Sequence, residues 1–267
     1  KGMVDGVNIT DNQTGMVRMS SWATSLIVQE EGLQPIYQMV CRDRNRLAMQ
    51  ADVLGSNALG INTLLCLSGD HQQFGDHPHA KGVFDIDSIQ LLAMVKNMRD
   101  LGKFQGGADI DGPPQMFIGA AANPFAEPYA WRVHRLAKKI QAGADFIQTQ
   151  CIYNMPRMRE WTKQAVDMGL TEKTYILAGV TPMKSVGMAK YMQTKVPGMD
   201  VPEEIVKRLR GVEKKSQKNE GIKIAVEQIQ EFKEMDGIAG VHLMAIEWEH
   251  RVPEIAELAG MLPRPEV

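Results

Sequence analysis

The sequence has little cysteine, few aromatic residues and no long apolar run. Three of its 267 residues are cysteines, and aromatic residues make up 6% of the chain. Cys41, Cys66 and Cys151 each lie within or at the end of an apolar run, without CxxC spacing. We therefore expect reduced, buried thiols and neither a disulfide framework nor a zinc cluster. Since no apolar run has the length of a membrane-spanning helix, we expect a soluble, cytoplasmic protein.

The sequence also has no large excess of positive or negative residues. The chain has 30 basic and 32 acidic residues, for a formal net charge of −2. Nucleic acids and anionic membranes attract strongly basic proteins or segments. We therefore predict neither as a partner.

Short apolar runs recur along the chain, and most are followed by a polar loop and a helical pattern. The runs lack strict alternation, which is typical of strands covered on both faces. Strands that alternate with helices favour a parallel sheet with right-handed crossovers. The predicted strands are Val4–Thr10, Pro35–Cys41, Asn62–Ser68, Met116–Ala121, Asp145–Gln150, Thr174–Gly179 and Gly240–Ile246.

The number of predicted strands is seven, whereas a closed (β/α)8 TIM barrel has eight. We predict an α/β fold, namely a TIM barrel that forms one domain over residues 1–267 and whose first βα unit is missing from this chain. The alternative is a doubly wound open sheet, although no GxGxxG motif follows the first predicted strand. In a TIM barrel the active site lies at the carboxyl ends of the strands, so the polar segments that follow the strands are the candidate site.

The segment "CLSGDHQQFGDHPHAKGVFDIDS" after the third predicted strand concentrates histidine and aspartate. Its histidines do not have the i, i+4 spacing of a helical metal site, and Pro78 between His77 and His79 indicates a loop. We therefore predict no metal site here.

Several motifs resemble the methylenetetrahydrofolate reductase family. They are "NITDNQT", "QMVCRDRNR", "LSGDH" with the later "VFDIDS", and "RLAKKIQAGADFIQTQ". The resemblance runs from Val4 to the final helical pattern and is closest to the short, anaerobe-type bacterial members. It implies a flavin-containing TIM barrel that reduces 5,10-methylenetetrahydrofolate to 5-methyltetrahydrofolate by hydride transfer, with FAD as the usual cofactor and FMN as the alternative.

The resemblance implies two catalytic residues. Asp70 would lie between flavin and folate, where its carboxylate stabilises positive charge that develops on the substrate iminium. The alternative role for Asp70 is to cap the following helix. Gln150 would bind the folate and the nicotinamide donor, since an amide offers both a donor and an acceptor. The alternative for Gln150 is a buried core amide.

The resemblance also implies where the flavin binds. Ser68 stands where better-known members have an arginine, and Asn123 where they have a tyrosine. The positions that match flavin-lining residues are Thr10, Gln38, Ser68, Gly69, Asp70 and Asn123.

A basic helical face follows the "AANPF" segment, and in the family this helix addresses the flavin phosphates. Lys139 matches the family lysine best. The alternative is a solvated helix face. The basic residues are Arg132, Arg135, Lys138 and Lys139. In "RDRNR" we expect either a helix start capped by Asp43 or arginines that meet a phosphate or the glutamate tail of folate.

The electron donor stays open between NADH, NADPH, ferredoxin and a companion iron–sulfur subunit. Other members place polar or aromatic donor- and folate-binding residues at the positions of Met188, Met192 and Trp248. This departure argues against direct nicotinamide binding. We expect a homo-oligomer or a complex with a companion subunit. The alternative functions are a pterin-binding methyltransferase barrel that serves a corrinoid protein and a non-catalytic subunit of a redox complex.

The family's general acid is a glutamate on the first barrel strand. Glu247 and Glu249 follow the last predicted strand but do not match that motif. We therefore expect the acid on a further N-terminal βα unit.

Overall fold

A computed structural model describes residues 1–264, which contain seven parallel β-strands and nine α-helices. The strands belong to one sheet whose order follows the chain from β1 to β7. They are β1 (Val7–Ile9), β2 (Pro35–Val40), β3 (Thr63–Leu67), β4 (Phe117–Ala122), β5 (Phe146–Cys151), β6 (Tyr175–Val180) and β7 (Gly240–Leu243). The helices are α1 (Ser21–Glu30), α2 (Arg46–Ala58), α3 (Ser88–Asp100), α4 (Arg132–Ala142), α5 (Met155–Asp167), α6 (Val186–Lys195), α7 (Glu203–Arg210), α8 (Gln217–Lys233) and α9 (Val252–Leu258).

The seven predicted strands are confirmed, with ends that differ by up to three residues. The α/β fold of the TIM-barrel class is confirmed as well, since parallel strands alternate with helices along the chain. The further N-terminal βα unit stays a prediction. None of the helices in residues 1–264 is long and apolar enough to cross a membrane.

Capping side chains fix where several helices begin. Asn45 accepts hydrogen bonds from the backbone N–H groups of the first turn of α2. Asp87 and Gln90 form a capping box at the start of α3, and Asn154 caps α5. Each cap satisfies N–H groups that have no partner inside the helix. The prediction that Asp43 caps the second helix is therefore wrong, because Asn45 does so.

The chain forms two compact units, and the prediction of one domain over residues 1–267 stays a prediction. The first unit comprises Lys1–Ala121 and Lys138–Phe146, and the second comprises Ala122–Ala137 and the residues from Ile147 on. The core of the first unit contains fully buried side chains of α2, α3, β3 and β4, among them Met49, Val53, Leu64, Leu91 and Ile118. The core of the second unit contains Cys151, Tyr153, Met183, Met192, Val206, Leu209 and Ile224.

Met188 and Met192 belong to this second core. Met192 is buried, and Met188 packs against the same cluster. Trp248 is also buried, and the cationic groups of Lys184 and Arg251 lie 5.7 Å and 5.4 Å from its ring centroid. These three side chains therefore have packing roles in the second unit.

A close approach between β4 and Phe146 constrains the first unit. A Cβ atom placed on Gly119 would lie 2.2 Å from the Cζ atom of Phe146, whose ring is buried and stacks on Phe117 at a centroid distance of 5.2 Å. No real Cβ atom tolerates such a contact. The ring of Phe146 therefore occupies the space that a side chain at position 119 would need.

We predict that Gly119→Ala lowers the free energy of unfolding by about 1–3 kcal/mol, because overpacking forces the ring or the backbone to move. Adding Phe146→Leu should recover part of that loss. Gly55→Ala on α2 is the control, since no atom lies within 4 Å of its added Cβ, and we expect a gain of roughly 0.5–1 kcal/mol from helix propensity. Urea unfolding measures all of these variants. Strictly additive losses in the double variant would contradict the steric explanation.

Candidate functional site

The loops at the carboxyl ends of β1, β2 and β3 meet at the buried guanidinium of Arg42. This side chain is 2% exposed. It donates to both carboxylate oxygens of Asp43 at 2.7 Å, to the carbonyl oxygen of Asp70 at 2.9 Å and to that of Asn12 at 3.0 Å. One residue thus holds the loop after β1, the loop after β3 and its own loop in a single arrangement.

A second buried ion pair lies at the same edge. The carboxylate of Asp11 is buried and accepts from Arg44 at 2.6 Å and from the backbone N–H of Val40 at 2.9 Å. Although burial alone would raise the pKa of the Asp43 carboxyl, hydrogen bonds from Arg42 and Asn12 hold that pKa below its usual value. The lowered pKa favours the ionised form of the Asp43 carboxyl.

The arginines of "RDRNR" are engaged within the protein. Arg42 pairs with Asp43, Arg44 with Asp11, and Arg46 with Asp85. The donors that would meet a phosphate or a glutamate tail are thus largely occupied by aspartates. The structure does not support that predicted role.

Asp70 follows β3 and is exposed. Its carbonyl is held by Arg42, whereas no hydrogen bond of its carboxylate is seen among residues 1–264. The short helical turn Gln72–Phe74 is capped by His71, and α3 is capped by Asp87. The alternative that Asp70 caps the following helix is therefore wrong, and its carboxylate remains available to a ligand.

Gly69 has a positive φ of +85°. A Cβ atom on it would lie 3.0 Å from Cβ of Val40 and 3.2 Å from Cβ of Arg42. Glycine is therefore required by the backbone turn and by the packing of the neighbouring strand. This turn is what directs Asp70 away from the core.

The other flavin-lining candidates of the first unit are near the strand ends. Thr10 and Gln38 are partly buried, and Gln38 donates to Asn8 at a long 3.5 Å. The hydroxyl of Ser68 accepts from the backbone N–H of Ser88 at 3.2 Å, at the start of α3. Ser68 therefore also helps to fix this helix to the end of β3.

The basic face of α4 divides by exposure. Arg135 and Lys138 are exposed, and the guanidinium of Arg132 donates to the carbonyl groups of Ala126 and Glu127. Lys139 is 8% exposed, and its ammonium donates to the carbonyl of Ala121 near the end of β4 at 2.5 Å. Among the four predicted residues, Lys139 therefore places its charge at a strand end in the first unit.

In the second unit, Asn123 shapes its own loop. Its side-chain oxygen accepts from the backbone N–H groups of Phe125 and Ala126 at 3.1 and 3.2 Å. Gln150, near the end of β5, is exposed, so the alternative of a buried core amide is wrong. The amide of Gln150 is accessible to a ligand.

Two polar residues of the second unit were missed by the sequence reasoning. Gln148 is buried on β5, two residues before Gln150. His242 lies on β7 opposite Gly179 of β6, and burial lowers the pKa of its imidazole to about 4. The imidazole is therefore neutral near pH 7. Polar residues inside otherwise apolar strands were the sequence feature that could have identified both.

The side chains of the histidine- and aspartate-rich loop do not form a cluster of metal ligands in the described part of the chain. Within residues 1–264 no group of three or more histidine, cysteine, aspartate or glutamate side chains is arranged to hold a metal ion. His71 instead accepts from the backbone N–H of Gln73, and Asp76 accepts from that of Val17. These side chains thus stabilise loops.

A shallow groove of about 590 Å³ lies beside the start of α2. It is lined by the Arg46–Asp85 ion pair and by Gln50, which accepts from the backbone N–H of Gln105. These polar groups are already bonded to one another. The strand ends are therefore the better candidate site.

Comparison with known proteins identifies the family. The chain matches the sequence profile described as methylenetetrahydrofolate reductase over residues 1–260. The chain belongs to the methylenetetrahydrofolate reductase family. This confirms the resemblance drawn from the sequence motifs.

The similar curated proteins are longer. Methylenetetrahydrofolate reductase 2 of Schizosaccharomyces pombe is 22% identical over 255 residues, which is 92% of this chain and 39% of that protein. A probable methylenetetrahydrofolate reductase (NADPH) of Caenorhabditis elegans is 20% identical over 252 residues, 92% of this chain and 35% of that protein. The chain therefore spans less than two fifths of the length of these relatives.

A solved structure shares the fold. It is an uncharacterized protein from Clostridium thermocellum, described as binding two copies of 5-methyl-5,6,7,8-tetrahydrofolic acid. The TM-score is 0.61 at 15% sequence identity, over 97% of this chain and 83% of that one. At this identity the likeness supports the α/β barrel-type fold.

We predict that Arg42→Lys lowers the free energy of unfolding by about 2–4 kcal/mol, because a single ammonium cannot replace a guanidinium that bonds to three loops. Arg46→Lys is the matched control. Its ion pair with Asp85 is more exposed, so the loss should stay below about 1 kcal/mol. Equal losses in the two variants, measured by urea unfolding, would show that Arg42 has no special role.

Proposed function

We propose that the protein reduces 5,10-methylenetetrahydrofolate to 5-methyltetrahydrofolate by hydride transfer from a reduced flavin. The observation that carries the proposal is the family match over residues 1–260. It is supported by the exposure of Asp70 after β3 and of Gln150 near the end of β5, the two side chains that the family motifs make catalytic. Both lie near carboxyl ends of parallel strands, where barrel enzymes carry their active sites.

The polar groups of the first unit fit a flavin. Thr10 and Gln38 offer donors and acceptors for a ring edge that carries both, and Lys139 offers a positive charge near the end of β4 for a phosphate. We propose Ser68, Gly69 and Asp70 as further flavin-lining residues. The flavin-lining role of Asn123 stays a prediction. FAD is the expected form and FMN the alternative. When bound, the reduced flavin supplies the hydride.

The exposed position of Arg135 and Lys138 favours the solvated-face alternative for these two residues. Arg132 is engaged with loop carbonyls. Within the proposed phosphate-binding set we therefore assign the main role to Lys139. The contribution of the other three residues stays a prediction.

Asp70 is proposed to stabilise the positive charge of the substrate iminium. Its main chain is fixed by Arg42 and by the turn at Gly69, while its carboxylate remains exposed. A charge that is held in place before the reaction stabilises the transition state without a further cost of reorganisation. Gln150 is proposed to bind the pteridine ring through its amide.

Protonation of the folate nitrogen requires an acid near the pteridine. Glu247 and Glu249 are exposed after β7, and Glu249 accepts from the backbone N–H of Glu247 at 3.0 Å. Neither matches the family motif. The glutamate on a further N-terminal strand therefore stays a prediction.

The electron donor and the assembly belong to the proposal as well. The donor is NADH, NADPH, ferredoxin or a companion subunit, and the protein is expected to form a homo-oligomer or a complex with such a subunit in the cytoplasm. The packing of Met188 and Met192 in the second core leaves no polar group at these positions for a nicotinamide.

We expect the purified protein to release one flavin per chain on denaturation. Under anaerobic conditions the bound flavin should be reduced by dithionite and reoxidised by methylenetetrahydrofolate. Absorbance spectroscopy follows both steps. Binding of folate without any flavin would instead support a pterin-binding methyltransferase barrel. Flavin that is reduced but not reoxidised by the folate would support a non-catalytic subunit of a redox complex.

We predict that Asp70→Asn retains flavin and fold but slows reoxidation by methylenetetrahydrofolate by roughly 10²-fold, the scale for loss of one preorganised electrostatic group. Asp87→Asn is the matched control, because asparagine caps a helix as well as aspartate does. Stopped-flow absorbance gives the rate. An unchanged rate in Asp70→Asn would remove Asp70 from the catalytic residues.

A further inference from the structure

Gln148 on β5 has a buried side-chain oxygen that forms no hydrogen bond with the described part of the chain. The residue is 4% exposed. Its Oε1 atom is buried and accepts no hydrogen bond from any group in residues 1–264. A buried acceptor that loses its bonds to water costs free energy unless another donor replaces the water. An apolar side chain of similar size would avoid that cost, so the amide requires an explanation.

Strand geometry places Gln148 on the face that Gln150 presents. Side chains alternate along a strand, so residues 148 and 150 share one face, while Cys151 lies on the other. Cys151 packs into the core of the second unit. The two amides therefore face away from that core and stand about 7 Å apart along the strand. Gln150 is exposed near the strand end, and Gln148 is one step deeper.

Gln228 provides an internal comparison within the second unit. It is also 4% exposed, and its Oε1 atom is likewise buried without a partner among the described residues. Its amide nitrogen, however, donates to the carbonyl of Ile152 at 2.9 Å. Gln228 thus has a structural reason for its amide, namely a link between α8 and the segment after β5. The structure gives no such reason for Gln148.

We propose that Oε1 of Gln148 accepts a hydrogen bond from an N–H group of the pteridine ring of the bound folate, as a second amide contact beneath Gln150. This inference rests on the proposed function. A reduced pteridine carries ring N–H groups and an amino group, so a fixed acceptor at the bottom of its site recognises that ring. Gln148 would then be a binding residue that determines which heterocycle is accepted, because a ring with an acceptor at this point would face the amide oxygen.

The test measures the equilibrium dissociation constant of 5-methyltetrahydrofolate with the purified protein by isothermal titration calorimetry. Gln148→Leu removes the acceptor and retains the approximate volume. We expect about tenfold weaker binding, which corresponds to about 1.4 kcal/mol, with an unchanged or higher melting temperature and unchanged flavin content. Should the leucine variant fail to fold, Gln148→Met, which is unbranched like glutamine, gives the same comparison.

Gln228→Leu is the matched control. Because it removes the bond to Ile152, we expect a lower melting temperature with an unchanged dissociation constant. p-Aminobenzoylglutamate, which lacks the pteridine ring, is the ligand control. Its binding should be the same for the wild type and for the Gln148 variants.

The outcomes separate this inference from the proposed function. If the wild type binds 5-methyltetrahydrofolate and Gln148→Leu binds it equally well, the inference is wrong, and a buried water is the partner of Gln148. If the wild type binds no reduced folate, the proposed function fails and the inference fails with it. A loss of affinity that also extends to p-aminobenzoylglutamate would show a general distortion of the site and would overturn the inference too.

Discussion

The burial of one guanidinium group determines how the first unit presents its candidate site. A charged side chain with 2% exposure is stable in the protein only if its donors are satisfied. Arg42 meets this requirement through the carboxylate of Asp43 and through main-chain carbonyls of the loops after β1 and β3. These loops cannot move independently without leaving a buried donor unsatisfied. Because the buried guanidinium of Arg42 needs the carbonyl oxygen of Asp70 as an acceptor, it fixes the main chain at Asp70.

The second unit presents its polar groups differently. Gln148 and Gln150 lie on β5 itself, and His242 lies on β7. A strand in a sheet is more rigid than a loop. Side chains on a strand therefore need no buried side chain such as Arg42 to hold their backbone in place. The methionine-rich core behind this sheet, which includes Met183 and Met192, leaves the polar side chains to the other face of β5. Cys151 on one face of β5 thus packs into the core, whereas Gln148 and Gln150 lie on the other face.

Local patterns were sufficient for the fold class and for the family. Apolar runs, polar loops and helical patterns predicted all seven strands, because each depends on residues that are close in sequence. The same order of motifs identified the family, and the resemblance is the source of the proposed roles of Asp70 and Gln150. The identity of the helix cap was less accessible, because Asp43 and Asn45 are both good capping residues and lie two positions apart. The carboxylate of Asp43 accepts hydrogen bonds from Arg42, and Asn45 caps the helix.

The sequence by itself determined the α/β class, the strand positions, the family and the residue types that follow each strand. The tertiary structure decided which of these polar residues are engaged and which remain available. Arg44 pairs with the buried Asp11 of the loop after β1, and the buried Lys139 donates to the carbonyl of Ala121 near the end of β4. Such partners are distant in sequence, and their choice depends on burial. A buried charge must find a partner wherever the fold places one, and no local pattern contains that information.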